Sequence, residues 1–175
     1  FDYTLLTCIL ILGVVSSFSM YSTDGGVLLH HSKSHIFRFI IFFVMMITLS
    51  FLSIRFWHFT GYLFYAITLI LLFWASLYGV TASGSQRWID LYFINLQPSE
   101  LMKVAIIVCL AKYYHRNQIQ NVNNLKNLLI PLVILVVPIM LVVSQPDLGT
   151  SILIALSGIV VLWLAGLNIK YFFYT

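Results

Sequence analysis

Glu100 and Lys103 stand three residues apart at the start of an otherwise apolar run that continues to Leu110. On a helix that spacing puts both side chains on one face, where they can pair. A charge inside a membrane-crossing helix costs about 2.5–3.5 kcal/mol on insertion scales, so a helix that keeps two turns them toward a bundle interior or a hydrated cavity. The simpler reading is a purely structural pair. Glu100 alone has a local account: Pro98 suits the first helical position, Gln97 the cap, and Glu100 the third position, where a carboxylate favours the helix dipole and can cap backwards. Lys103, one turn deeper, is not explained that way.

A second segment repeats the pattern. Gln145-Pro146-Asp147-Leu148-Gly149-Thr150 also opens an apolar run with a Gln-Pro step and an acidic residue. Two helix N-termini facing one compartment, with Arg87 preceding them in sequence, would form an anion site suited to a pyrophosphate. Arg87, Gln97, Glu100 and Lys103 are the candidate substrate-binding residues, with Glu100 and Lys103 in a supporting cavity. Trp88, Pro98, Ser99, Gln145, Pro146, Asp147, Gly149 and Thr150 are expected to build the surrounding structural motif. Glu100 and Asp147 would repel a bare anion, so a divalent cation or a water network would have to mediate. No catalytic residue is assigned within the chain.

The remaining chemistry-bearing residues read as structural. His30, His31 and His35 fall in a polar segment, 22–35, without the acidic or Cys companions that fix a metal geometry. Cys8 and Cys109 lie in apolar runs and read as small buried hydrophobes. The sequence holds no phosphate-cradling Gly loop, no Ser-His-Asp set and no zinc motif, and no metal ligand is assigned.

These residues must be positioned by membrane helices. Of 175 residues, 61% are hydrophobic and 8% charged, against about 25% charged in a soluble domain. Such a chain cannot cover a water-facing surface. Its formal charge of +4 is dispersed, which points to anionic headgroups or a phosphorylated ligand rather than a nucleic acid. About 20 apolar residues span the hydrocarbon, and runs of that kind lie near 3–21, 36–53, 56–79, 98–114, 128–144 and 148–167. Continuous rather than alternating runs disfavour strands. The expectation is an all-α, polytopic transmembrane bundle forming one domain over 1–175.

With a cytoplasmic N-terminus, Arg55, Lys112, Arg116, Lys126 and Lys170 fall at inner ends, and Lys33, Arg38 and Arg87 outside. The bias follows the positive-inside rule. Trp57, Trp88, Tyr62 and Tyr92 stand near the boundaries, where aromatic belts form, and Arg38 and Arg55 can snorkel. The polar segment 80–97 is read as an outer loop, and 115–127 as an inner connector.

Taken in order, Gly84-Ser85-Gln86-Arg87-Trp88-Ile89, Gln97-Pro98-Ser99-Glu100-Leu101-x-Lys103 and Gln145-Pro146-Asp147-Leu148-Gly149-Thr150-Ser151 resemble the SEDS (shape, elongation, division and sporulation) family. Tyr21-Ser22 stands at the place of that family's Tyr-Ser-Ala-Ser. Leu148 after the aspartate resembles the rod-shape (RodA) branch more than the division (FtsW) branch. Tyr92 replaces a usual Gly and Met102 a common small residue, departures that bear on packing rather than chemistry.

The resemblance implies a peptidoglycan glycosyltransferase of about ten spans in the bacterial cytoplasmic membrane. Such enzymes polymerise lipid II at the outer face and pair with a class B penicillin-binding protein. Arg87, Glu100 and Lys103 would then lie in or near the functional cavity. The chain starts at Phe1 and stops at Thr175 as a new aromatic run opens, so a fragment is expected, with a first run that anchors rather than a cleaved signal. The family's essential aspartate follows the seventh span, so residues 1–175 are expected to be inactive alone. A flippase for the lipid-linked precursor and a subunit that only docks a partner helix are the competing readings.

Overall fold

A computed structural model describes residues 2–27, 29–82, 85–90, 95–117 and 125–167. Six helices dominate: α1 (Tyr3–Thr23), α2 (His30–Ser50), α3 (Ile54–Tyr78), α4 (Pro98–Asn117), α5 (Leu125–Ser144) and α6 (Leu148–Leu164). By length and composition α1, α2, α3 and α5 are long and apolar enough to cross a membrane. The fourth helix carries Glu100, Lys103 and Lys112 within 20 residues, and α6 is apolar but only 17 residues long.

Residues 80–97 depart from the expected loop. Val80–Ala82 (β1), Ser85–Asp90 (β2) and Asn95–Leu96 (β3) pair antiparallel in the order β1-β2-β3, with Val80 opposite Trp88 and Ile89 opposite Leu96. Reading for 20-residue apolar runs has no power over strands of two to six residues. Gly84, Tyr92 and Lys170, and the central part of the connector between α4 and α5, lie outside the described residues. So do the side chains of His30, Arg116 and Lys126.

The chain divides into two compact units, Phe1–Ser53 and Ile54–Thr175. In the first, α1 and α2 form a hairpin in which the Phe39 ring fills the space a Cβ at Gly13 would need. Ser16 Oγ lies 3.0 Å from His35 Nε2. The second helix begins at His30, six residues earlier than the apolar run suggests. Its cap position, Leu29, has no side-chain acceptor. Instead Asp24, from the end of α1, accepts the Ser32 backbone N–H at 2.9 Å and also the Ser32 hydroxyl. A borrowed cap satisfies the same orphan donors as a resident one. His31 and His35 are therefore helical rather than loop residues, and Cys8 is exposed on α1 rather than buried.

In the second unit, α3 packs on α4, and α4 and α5 on α6, around Leu72, Met102, Ile106, Leu110, Val142 and Ile154, all fully buried. Met102 is thus a core residue. The α3–α4 approach is close at Gly61, where a Cβ would stand 3.2 Å from Val108 Cγ1. Leu135 occupies the corresponding space at Gly158, between α5 and α6.

The fifth helix contains Pro131 and Pro138. A helical proline has no N–H for the carbonyl four residues earlier, which for Pro138 is Ile134. That carbonyl accepts the Tyr65 hydroxyl at 2.9 Å. Helix-breaking residues are tolerated in membrane helices where a neighbour restores the lost bond in this way.

Candidate functional site

Asp147 is the N-cap of α6, and its carboxylate gathers donors from three elements. Thr150 supplies its backbone N–H to Oδ1 at 3.1 Å and its hydroxyl to Oδ2 at 2.8 Å. From β2, Arg87 Nη1 reaches Oδ2 at 3.0 Å. From the residue before α4, Gln97 Nε2 reaches the same oxygen at 3.2 Å. The two Gln-Pro turns and Arg87 are therefore at one end of the unit. Burial pushes the Asp147 carboxyl up, but the Thr150 N–H and hydroxyl and the Arg87 guanidinium outweigh it, leaving it below the usual carboxylate range.

The second Gln-Pro turn is fixed to the core as well. Gln145 is buried and donates from Nε2 to the Leu72 carbonyl of α3 at 3.2 Å. Pro98 is fully buried and Ser99 nearly so, and the Ser99 hydroxyl has no hydrogen-bond partner. Trp88 is half-buried on β2, which leans on α3 and α4. A Cβ at Gly149 would meet only Asp147 Oδ1, at 3.9 Å, so packing alone does not demand glycine there.

This geometry gives Arg87 a partner within the fold. Its Nη1 pairs with Asp147, with side-chain exposures of 25% and 10% for the two partners, while its buried Nε has no hydrogen-bond partner among the described residues. The cause is that Asp147 caps α6 at the very end where Arg87 arrives. Gln97 is likewise turned onto Asp147 rather than outward.

Glu100 and Lys103 are arranged differently. Lys103 Nζ lies 2.9 Å from Glu100 Oε1 and 2.8 Å from Oε2. The pair is half open: Glu100 is 56% exposed, whereas Lys103, at 23%, is about as buried as Arg87. The Glu100 carboxylate thus bonds forward along its own helix, while its backbone N–H closes the turn on the Gln97 carbonyl at 3.1 Å. A partly buried ammonium can bind a phosphate oxygen, and the exposed carboxylate beside it can accept a hydroxyl proton.

The Arg87–Asp147 pairing was not visible in the sequence because it joins positions 60 residues apart. A signal existed: Asp147 stands three residues before Thr150, the spacing of an N-cap, beside a Gln-Pro step matching that of Gln97. Among the described residues, no group of three or more His, Cys, Asp or Glu side chains is placed to hold a metal ion.

The model of the family described as cell cycle protein, which groups FtsW, RodA and SpoVE, matches residues 2–175. The peptidoglycan glycosyltransferase MrdB of Escherichia coli K12 is 36% identical over 170 residues, covering 95% of this chain and 44% of that protein. A probable peptidoglycan glycosyltransferase FtsW of Buchnera aphidicola subsp. Baizongia pistaciae is 32% identical over 170 residues, again covering 44% of its length. The chain thus spans less than half of the curated relatives it matches most strongly. The crystal structure of the rod shape determining protein RodA of Thermus thermophilus superposes with a TM-score of 0.83. It shares 21% identity, over 99% of this chain and 56% of that one. A chain from a peptidoglycan synthase complex that coordinates polymerization and crosslinking superposes at 0.84, also at 21% identity, over 50% of its length. At that identity the superpositions speak to the fold.

Proposed function

This chain belongs to the FtsW, RodA and SpoVE family of cell cycle proteins, and from that premise we propose that it forms part of a RodA-type peptidoglycan glycosyltransferase. The reaction joins a lipid-linked disaccharide, lipid II, to a growing glycan and releases undecaprenyl pyrophosphate. The observation that carries this reading is the similarity to MrdB, which extends over 95% of the chain at 36% identity. The higher identity to MrdB than to the FtsW relatives supports the rod-shape branch. The likeness to a chain of a peptidoglycan synthase complex supports a crosslinking partner, a class B penicillin-binding protein.

Two groups of residues divide the work. Asp147, with Arg87, Gln97 and Thr150 bonded to it, is the brace that fixes β2 and the starts of α4 and α6 to one point. Lys103 and Glu100 face the substrate. The ammonium stabilises negative charge on the pyrophosphate as the glycosidic bond forms and the sugar–phosphate bond breaks. Glu100 holds Lys103 in place. The protein sits in the bacterial cytoplasmic membrane with its N-terminus inside, so that this end of α4 and α6 meets the outer leaflet.

The test is polymerisation by the natural full-length protein in liposomes with lipid II on the accessible side. Glycan chains that shorten or vanish with Lys103→Ala support the assignment. A precursor that crosses the bilayer without being polymerised would identify a flippase instead.

A further inference from the structure

The end of α3 and α4 remote from Arg87 holds a second polar cluster that the proposed reaction does not use. A groove of about 560 Å³ lies there between the start of α3 and the last turns of α4. Its polar lining is Arg55, His58, Lys112 and His115, with no carboxylate among the described residues that line it. The His58 and His115 rings meet edge-on with centroids 4.9 Å apart. Lys112 donates from Nζ to the Phe59 carbonyl at 2.7 Å and lies 4.5 Å from the Tyr62 ring centroid, so its ammonium is held against α3. Arg55 and His115 are exposed. His58 Nε2 is buried and has no hydrogen-bond partner among the described residues.

A buried ring nitrogen without a partner is uncommon, because nearly all such atoms find a donor, an acceptor or a water. Here it stands beside an ammonium that has further N–H donors and a guanidinium with five. With the ring proton on Nε2, the ligand that satisfies all of these donors is an anion rich in oxygen acceptors. The rest of the wall, Trp57, Ile107, Val108 and Ala111, is apolar. Hydrocarbon beside charged groups matches a lipid better than a hydrated ion, and tryptophan and snorkelling cations characterise the headgroup level of a bilayer.

We propose that this groove is a binding site for an anionic phospholipid, with Arg55 and Lys112 on the headgroup phosphate, His58 and His115 flanking it, and an acyl chain along Ile107 and Val108. The site is independent of the glycan reaction and lies in the opposite leaflet from the Lys103 pair.

The experiment uses the natural full-length protein in detergent, delipidated and titrated with phosphatidylglycerol or phosphatidylcholine while native mass spectrometry counts bound lipid. Phosphatidylglycerol should bind more tightly, and Arg55→Gln should weaken it by about fivefold, the contribution of one cation near an anionic surface. His115→Gln, on the exposed flank of α4, should weaken it in the same direction, and it carries the test if Arg55→Gln does not fold. Arg38→Gln, which removes an equal charge from α2 outside the groove, should leave binding unchanged. Equal affinity for phosphatidylcholine, or equal losses at Arg38 and Arg55, would overturn the proposal. Displacement of the lipid by millimolar inorganic phosphate would overturn it too, by assigning the groove to a soluble anion.

Discussion

Arg87 on β2 and Asp147 at the cap of α6 are 60 residues apart in sequence and 3.0 Å apart in space. Their contact closes the sheet onto the start of α6, and Gln97 brings the start of α4 to the same oxygen. The partners are not equivalent. Asp147 retains Thr150 and Gln97 when Arg87 is removed, whereas loss of Asp147 takes from a three-quarters-buried guanidinium the carboxylate it is bonded to and leaves α6 without its cap.

Asp147→Ala should therefore destabilise more than Arg87→Ala. The cap contributes about 1 kcal/mol, and an uncompensated partly buried cation adds about 2 kcal/mol, below the cost for a fully buried pair. Thermal unfolding in detergent should show the lower midpoint for Asp147→Ala. The double variant should lose less than the sum, with a coupling of about 1 kcal/mol. Additive losses would mean that the two side chains do not act as a pair.

Acid should act on two bonded carboxylates outside the membrane helices, Asp24 and Asp147. Asp24 is held below its ordinary value by the Ser32 hydroxyl and N–H, and Asp147 by donors that outweigh its burial. A depressed folded pKa means that the stability from each carboxylate is complete above the unfolded value of about 3.9 and falls away as the pH drops through the folded one. Unfolding midpoints should be flat from about pH 5 upward in this respect and decline in more acid solution. Asp147→Asn should reduce that decline. An acid limb of undiminished slope in the variant would show that other groups control it.

The bond between Tyr65 and the Ile134 carbonyl exists because Pro138 leaves that carbonyl without its helical donor. Tyr65→Phe should cost about 1 kcal/mol, the usual net value of such a bond. In a Pro138→Ala background the restored N–H takes over the carbonyl, and the same substitution should be close to neutral. Equal costs in both backgrounds would break the link between the proline and the hydroxyl.

Different parts of this arrangement were legible to different degrees. Helix positions follow from apolar run length, which is why Ile54–Tyr78 and Pro98–Asn117 lie close to the runs at 56–79 and 98–114. The Glu100–Lys103 contact depends only on helical spacing and needs no tertiary knowledge. The start of α2 was not legible, because His30, His31 and Ser32 are polar and their helix is capped from outside by Asp24. Nor was the fate of Arg87: a residue's charge is readable in one position, but whether it is neutralised depends on what the fold brings beside it.

That distinction bears on the last expectation, the unequal effect of charge removal on the proposed reaction. If Lys103 meets the pyrophosphate, Lys103→Ala should lower polymerisation by about tenfold to hundredfold, the equivalent of one hydrogen bond to a charged group, at a smaller cost in thermal stability than Asp147→Ala, since the carboxylate left behind, Glu100, is exposed to solvent. Glu100→Gln keeps a hydrogen-bond acceptor for Lys103 but removes the charge, and should cost less. Arg87→Ala should lower activity and the unfolding midpoint together, because Arg87 acts through the Asp147 brace. Polymerisation measured on the natural full-length protein, with unfolding midpoints on the same preparations, separates the classes. If Lys103→Ala lost stability in proportion to activity, the pair would be another brace, and the substrate contact would have to be sought elsewhere.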